Sequence, residues 1–270
     1  MRLDLKTSAT DGLGVCAGDL VSIVGAGGKT SLMYRMGRDL SRNGVPTVLT
    51  TTTRIMYPDP NQVTRVILGD ETDSTITRVS SSLRQERLVL AGCRRDESKI
   101  IGYSSGFVER LHSGDLKRTL VAECDGAMGK SLKVPRNGEP PLARTTGLYV
   151  VVMGADCLGK RVSSGLVFNP ERVASVAGVK GDSVVDEEVA AATVVSEKSY
   201  MRHKPQKARL CVFINKVDAG LPHLPDPDGA GGRVSVVGLA LTLARHPMVE
   251  RVVLGCLRSG QNNPFLVIRE

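Results

Sequence analysis

The feature of this sequence that most restricts its fold is a glycine-rich loop between an apolar run and an amphipathic run. The loop comprises Gly25, Ala26, Gly27, Gly28, Lys29, Thr30 and Ser31. The preceding residues 20–24 are predicted to form a strand, because they are almost entirely apolar. Residues 30–42 are predicted to form a helix, because Leu32, Met36 and Leu40 recur on one helical face. A strand, a tight turn and a helix in this order are typical of α/β proteins.

The residue types in this loop predict phosphate binding. Glycines allow a tight turn whose backbone N–H groups approach an anion, and the helix N-terminus behind the turn favours negative charge. In this pattern Lys29 reaches the terminal phosphates and the Thr30 hydroxyl ligates Mg²⁺. Two residues, rather than the standard four, separate Gly25 from Gly28. The shorter form resembles the loop of Mur-type ATP-dependent ligases, and the alternative is a plain glycine turn before a helix.

Strand-like and helix-like segments alternate along the rest of the chain. Further strands are predicted at residues 47–51, 63–68, 87–90, 119–123, 148–153, 210–214 and 251–254, with an edge strand at 265–268. Further helices are predicted near residues 74–83, in two pieces between 169 and 196, and near 234–243, with a Pro/Gly-rich loop at 220–232. This alternation predicts one α/β domain over residues 1–270, with a doubly wound, mostly parallel sheet of the P-loop type and helices on both faces. The polar residues 126–146 are predicted to be an inserted loop or the junction of a smaller subdomain.

Composition narrows the class of ligand and the compartment. The net charge of +8 suits phosphorylated small molecules or nucleic acid. The basic residues are spread along the chain without a basic tail or a stacking aromatic motif, which argues against nucleic acid. The sequence has no signal-peptide pattern and no apolar run of membrane-spanning length. Its six cysteines form no C-x-x-C pair, so we expect buried, reduced thiols in a cytoplasmic protein.

Polar residues follow several predicted strands, at the sheet edge where ligands of parallel α/β proteins bind. Glu123 and Asp125 follow one strand and project to the same side of it, so one could hold Mg²⁺ while the other acts as a base. The sequence does not divide these roles, and solvated loop acids are the alternative. Asp156 follows the strand at 148–153 in the same way. The run from Thr50 to Arg54 could bind Mg²⁺ or a phosphate, although threonine also favours strands.

Residues 215–218 match the N-K-x-D signature with which GTPases read guanine. In that signature Asp218 would accept the N–H groups of the base, and Asn215 and Lys216 would support it. A strand cap with surface charges is the alternative, because the chain lacks the D-x-x-G motif that accompanies this signature in GTPases. Both ATP and GTP are therefore candidate nucleotides.

The remaining candidates are a basic loop, for a second substrate, and one cysteine. Lys130, Lys133 and Arg136 form a basic loop that could bind an acidic or phosphorylated molecule, with a solvated loop as the alternative. Cys124 lies between the two candidate carboxylates and is the thiol closest to the expected metal.

Taken together, these motifs resemble the YqeC family. The resemblance rests on V-G-A-G-G-K-T-S, T-T-T-T-R-I, E-C-D-G-A-M-G-K, G-A-D-C-L-G-K and I-N-K-V-D, and it runs from Val21 to Asp218. The family is described as accessory to selenium-dependent molybdenum hydroxylases. The sequence departs from it at Gly138 and Phe168, where the family tends to have histidine.

The resemblance implies a Mg²⁺- and nucleotide-dependent accessory protein in the maturation of such a hydroxylase or its cofactor. As an NTPase or group-transfer enzyme it would use Lys29, Glu123, Asp125 and Asp156 in catalysis, with Thr30 and Glu123 holding the metal. The alternative is a non-catalytic nucleotide switch or cofactor chaperone that engages a partner hydroxylase. Direct handling of selenium is left open.

Overall fold

The computed structural model describes residues 1–114, 118–218, 234–258 and 264–269. The strands are β1 (Arg2–Lys6), β2 (Leu20–Gly25), β3 (Thr47–Thr51), β4 (Arg54–Met56), β5 (Arg65–Leu68), β6 (Leu88–Gly92), β7 (Arg94–Asp96), β8 (Lys99–Ile101), β9 (Thr119–Glu123), β10 (Leu132–Lys133), β11 (Leu148–Gly154), β12 (Val167–Phe168), β13 (Arg209–Asn215), β14 (Val249–Leu254) and β15 (Phe265–Arg269). The helices are α1 (Ala9–Leu13), α2 (Lys29–Arg42), α3 (Asp73–Gln85), α4 (Ser105–His112), α5 (Pro170–Ala177), α6 (Glu187–Val195) and α7 (Val236–Ala244), with 3₁₀ turns at Ala155–Cys157 and Tyr200–His203.

Ten of these strands form one sheet in the order β1-β15-β14-β13-β11-β2-β9-β3-β6-β5. The eight strands from β14 to β5 run parallel to their neighbours, whereas β15 is antiparallel to both β14 and β1. The prediction of an α/β protein with a large, mostly parallel central sheet is therefore confirmed.

Both faces of this sheet are buried, which explains why its strands read as continuous apolar runs. In β11, Tyr149 and Val151 pack into one hydrophobic core, while Val150 and Val152 pack into a second core. Helices α1 and α2 contribute to the second core, and helices α3, α4, α6 and α7 contribute to the first. Helices therefore lie on both faces of the sheet.

The strand predicted at the sheet edge is not at the edge. It is β15, which pairs with β14 on one side and with β1 on the other. The outermost strand is β1, where Leu3 lies opposite Ile268. The sequence analysis missed β1, although Leu3 and Leu5 alternate with charged residues as in a strand; the residues with which it pairs lie at the far end of the chain.

Several short elements were also missed. A three-stranded antiparallel sheet in the order β4-β8-β7 follows the carboxyl ends of β3 and β6. Strands of two or three residues are too short to show a hydrophobic period. The polar residues 126–146 contain β10, which pairs with β12, and Leu132, Val134 and Ala143 from this segment join the first core.

The remaining predicted elements lie within a few residues of the observed ones. Helix α2 begins at Lys29 with Gly28 as its N-cap, and α5 and α6 are the two predicted pieces separated after Gly178. The predicted loop at 220–232 lies outside the described residues. Among the helices that are described, none combines the length and apolar character needed to cross a membrane.

Candidate functional site

A cleft of about 580 Å³ opens at the carboxyl ends of the parallel strands. Ligands of open α/β sheets bind at this edge, because the polar loops that follow the strands converge there. The cleft is lined by residues 27–31 after β2, 53–56 after β3, Glu123 and 126–130 after β9, Asn215 and Lys216 after β13, Leu257 and Arg258 after β14, and Lys99 of β8. Its volume lies within the usual range for small-molecule sites.

The glycine-rich loop passes so close to β11 that it admits no side chain at two positions. Gly25 has a φ of 101°, and a Cβ atom there would lie 2.1 Å from the carbonyl oxygen of Val152. Gly27 has a φ of 79°, and its Cβ would lie 2.4 Å from the backbone nitrogen of Gly154. Glycine is therefore required for this conformation and for the close approach of the loop to the sheet.

The backbone amides of the loop fall into two groups. Gly25 donates to the Asp125 carboxylate, Ala26 donates to the carbonyl of Val152, and Gly27 donates to the carbonyl of Lys130. The next four amides, of residues 28–31, open helix α2 and find no acceptor among the described residues. Unpaired N–H groups at a helix N-terminus form an anion-binding arrangement, and here they border the cleft.

Lys29 lies at the floor of the cleft and is only 5% exposed. Its Nζ donates to the carbonyl oxygen of Gly25 at 2.8 Å. The same atom lies 3.4 Å from Asp125 Oδ1 and 3.9 Å from Glu123 Oε1. The ammonium group is thus held between the loop and two carboxylates, beside the free amides.

Thr30 and Glu123, the two predicted metal ligands, are in contact. The Thr30 hydroxyl donates to Glu123 Oε2 at 2.6 Å. Burial raises the pKa of Glu123, while Lys29 and the hydrogen bond from Thr30 act in the opposite direction. No group of three or more His, Cys, Asp or Glu side chains suited to a metal is found in the described part of the chain. The pair fits Mg²⁺, which commonly takes one carboxylate together with phosphate and water oxygens.

Asp125 does not line the cleft but lies beneath the loop, 1% exposed. It accepts hydrogen bonds from the Gly25 amide and from the Tyr200 hydroxyl at 3.0 Å. It also forms ion pairs with Lys29 and Lys133, the latter at 3.0 Å. Its oxygens are occupied by protein groups, so its position is that of a support for the loop rather than of a group exposed to a ligand.

Asp156 is separated from the cleft by Lys216. The Nζ atom of Lys216 lies 2.8 Å from Asp156 Oδ2 and donates to Ser131 Oγ at 2.7 Å. Lys216 lines the cleft, whereas Asp156 is not among its lining residues. Asp156 therefore contributes to the site indirectly, by orienting the side chain of Lys216.

Of the N-K-x-D residues, Asn215 and Lys216 line the cleft, whereas Asp218 does not. The side-chain amide of Asn215 donates to the carbonyl of Gly27 at 2.7 Å and accepts from the backbone amide of Leu257 at 3.1 Å. Asn215 therefore ties the glycine-rich loop to the segment after β14. Asp218 is exposed and does not line the cleft in the described structure.

The threonine run after β3 mostly supports the backbone. The hydroxyls of Thr50, Thr51 and Thr52 donate to the backbone carbonyls of residues 91, 123 and 124, respectively. Thr53 and Arg54 line the cleft. Of the predicted phosphate-binding group, these two side chains are the ones at the site.

The basic loop predicted to bind a second substrate is largely used within the protein. Lys133 is buried between Asp125 and Glu139, and Arg136 stacks over the ring of Phe168. Only Lys130 of the three lines the cleft. The interpretation of Lys133 as a substrate ligand was wrong, because its ammonium group is buried and paired with Asp125 and Glu139. Arg136 is exposed and does not line the cleft.

The thiol of Cys124 faces the protein interior and not the cleft. Cys124 is 1% exposed within the first hydrophobic core, and burial raises its pKa to about 12. Its sulfur donates to the carbonyl of Ala122. These features are those of a structural cysteine rather than of a reactive one.

Sequence reasoning missed several residues of the cleft. Met56, Lys99, Met128, Leu257 and Arg258 line it, and Tyr200 holds Asp125 beneath it. Arg54 and Met56 belong to β4, which follows directly on the threonine run. That run was the one signal in the sequence for this part of the cleft. Met128 lies in the E-C-D-G-A-M-G-K motif, whereas Lys99, Leu257 and Arg258 lie on short strands or loops with no recognisable motif.

The sequence of this chain matches the profile of a known protein family. The profile of the YqeC protein family matches residues 21–171, more than half of the chain. This chain belongs to the YqeC family. The Escherichia coli (strain K12) protein named "Uncharacterized protein YqeC" is 26% identical over 197 residues, which cover 73% of this chain and 75% of that protein.

The part of the chain that matches the YqeC profile contains the centre of the cleft. It includes the glycine-rich loop, Glu123, Asp125 and Asp156. Residues 215–218 and the segment after β14 lie beyond residue 171 and so outside the matched region. The shared region therefore corresponds to the loop, the paired Thr30 and Glu123, and the β3 and β9 side of the cleft.

Proposed function

We propose that this YqeC-family protein binds a nucleoside triphosphate together with Mg²⁺ at the glycine-rich loop, in a doubly wound sheet of the P-loop type. The observation that carries the proposal is the meeting of four free amides, a buried lysine and the Thr30–Glu123 pair in one cleft. A triphosphate presents several anionic oxygens, which this set of donors matches. ATP and GTP are the candidate nucleotides.

Each residue has a separate task in this proposal. The amides of residues 28–31 and Lys29 bind the phosphates, and Thr30 with Glu123 would hold Mg²⁺. The bound ion would neutralise charge on the terminal phosphates. Asp125 keeps Lys29 and the Gly25 amide in place, and Asp156 orients Lys216 towards the cleft. Asn215 supports the loop from the other side.

The family resemblance supports a role in maturing a selenium-dependent molybdenum hydroxylase or its cofactor. In this role the protein would be an NTPase or a group-transfer enzyme that works with the hydroxylase or its maturation factors. Transfer of a phosphoryl or nucleotidyl group to a small acceptor would identify an enzyme of this kind.

One observation favours a second candidate, a non-catalytic nucleotide switch or cofactor chaperone. Among the described residues that line the cleft, Glu123 is the only carboxylate, and it is already paired with Thr30. Asp125 and Asp156, the other predicted catalytic acids, are held by protein groups. A cleft without a free base suits a protein that binds nucleotide, changes shape and engages a partner hydroxylase.

Calorimetric titration with ATP and GTP, each with and without Mg²⁺, tests the proposal. We expect Mg²⁺-dependent binding of at least one nucleotide, with affinity reduced at least a hundredfold in Lys29→Met. If the wild-type protein bound neither nucleotide, the loop would be only a structural glycine turn. Hydrolysis or transfer by the purified protein would separate the enzyme from the switch, since a switch turns over slowly until its partner is added.

A further inference from the structure

The cleft extends well beyond the loop. The strands whose last residues or following loops line it are β14, β13, β2, β9 and β3, and β11 lies between β13 and β2 in the sheet. Neighbouring strands lie about 4.8 Å apart, so this edge is about 24 Å long. The glycine-rich loop follows β2, in the middle of the edge, and leaves space on both sides.

The position of the metal pair sets the direction in which a nucleotide would lie. Mg²⁺ binds the terminal phosphates of a nucleotide, and Glu123 is the last residue of β9. The terminal phosphate would therefore point towards β9, and the nucleoside would extend the opposite way, towards Lys216 after β13 and Leu257 after β14. The part of the cleft on the β3 side then lies beyond the terminal phosphate.

This β3-side compartment is lined by Arg54, Met56, Lys99 and Met128. It contains two cationic side chains and no carboxylate among the described lining residues. Lys99 is exposed and has no hydrogen bond or ion pair with any described side chain. The ion pair of Arg54 with Asp96 is 3.6 Å long, and both side chains are largely exposed. Such an exposed pair contributes little and is easily exchanged for another anion.

The same compartment exposes two methionines. Met56 is 56% exposed and Met128 is 82% exposed, although both are large apolar side chains. Methionine adapts its shape to irregular partners and makes favourable contacts with aromatic rings. Cations beside exposed methionines match a ligand that combines an anionic group with a flat apolar group.

We propose that the β3-side compartment binds a second substrate, a small molecule that carries a phosphate group next to an aromatic ring. The inference deepens the proposed function and rests on it, because the nucleotide defines which part of the cleft remains. Arg54 and Lys99 bind the phosphate group, while Met56 and Met128 contact the ring.

Phenyl phosphate is a suitable probe, with inorganic phosphate for comparison. Its binding is measured by calorimetry on protein saturated with Mg²⁺ and a non-hydrolysable triphosphate analogue. We expect phenyl phosphate to bind more tightly than inorganic phosphate, and the double substitution Arg54→Ala with Lys99→Ala to weaken it at least tenfold. Affinity for the triphosphate analogue, measured on the same variant, should fall less than affinity for phenyl phosphate. Arg94→Ala is the matched control, since Arg94 is an exposed cation of the same small sheet that does not line the cleft.

Two outcomes would overturn the inference. Phenyl phosphate binding that survives the double substitution would remove Arg54 and Lys99 from the site. A parallel loss of the triphosphate analogue would mean that these cations serve the nucleotide itself. Failure of the proposed function looks different: the wild-type protein would not bind the analogue at all, while phenyl phosphate would still depend on Arg54 and Lys99 and would support the compartment as an anion site.

Discussion

The Nζ atom of Lys133 lies 3.0 Å from Oδ2 of Asp125, and neither side chain is exposed to solvent. Lys133 also pairs with Glu139 at 2.7 Å, and Asp125 also pairs with Lys29 in the glycine-rich loop. A buried chain of alternating charges thus connects the loop to the segment after β10. Because Lys29, Asp125 and Lys133 have been removed from water, the loss of a partner leaves a buried charge uncompensated and is costly.

Asp125→Asn should lower the free energy of unfolding. Its effect on the cleft surface should be small, because Asp125 does not line the cleft. The substitution leaves Lys29 and Lys133 with one carboxylate fewer in a buried environment, and breaking a buried pair costs about 3–5 kcal/mol. We expect a loss near the lower end, because Lys133 keeps Glu139. Urea unfolding measures the change. The double substitution Asp125→Asn with Lys133→Met should cost less than the sum of the single changes, and full additivity would contradict the coupling.

Lys29→Met should abolish tight binding of a nucleoside triphosphate while the protein remains folded. The methionine side chain fills the same space without the charge, while Thr30 still donates a hydrogen bond to Glu123 and Lys133 still pairs with Asp125. Calorimetry gives the affinity, and thermal unfolding gives the accompanying loss of stability. Unchanged affinity in a folded variant would remove Lys29 from the phosphate site.

Glu123→Gln should remove the dependence of nucleotide binding on Mg²⁺. Glutamine can still accept the hydrogen bond from Thr30, but it lacks the negative charge that a hard cation requires. We expect the affinity measured with Mg²⁺ to fall to the value measured without it, and the affinity without Mg²⁺ to change little. A variant that still gains affinity from Mg²⁺ would place the ion elsewhere.

Asn215→Ala should weaken ATP and GTP by the same factor. Both ends of the Asn215 amide are engaged by backbone groups, so the side chain supports the loop irrespective of the base. Parallel titrations of wild type and variant with both nucleotides give the two factors. Asp218→Ala is the companion measurement: a loss confined to GTP would restore Asp218 as a reader of guanine.

Cys157 and Cys211 should resist alkylation in the folded protein, whereas the exposed Cys16 should react. Burial raises the pKa of Cys157 and of Cys211 from 9.0 to about 12, so at pH 8 about one such thiol in ten thousand is ionised. Between pH 9 and pH 12 these thiols would ionise in the unfolded chain while they stay protonated in the folded protein. The free energy of unfolding therefore falls as the pH rises through this range. Mass spectrometry after iodoacetamide treatment, with and without urea, measures the labelling. Rapid labelling of Cys157 or Cys211 without urea would show that the surrounding core opens readily.

The sequence by itself predicted the parallel sheet and the centre of the site. Strands buried on both faces read as apolar runs, and the glycine pattern before α2 specifies a turn that no other residue could adopt. The sequence also predicted Thr30 and Glu123 as joint metal ligands, but it did not predict that β2 and β9 are neighbours in the sheet, which is what brings the two side chains into contact.

Tertiary structure decided which charged residues face the cleft. Lys133 and Lys130 look alike in the sequence, yet one is buried against Asp125 and Glu139 while the other lines the cleft. The same holds for β1, which becomes the sheet edge only by pairing with residues at the far end of the chain. Burial and pairing depend on groups that are distant in sequence, and a local pattern carries no information about them.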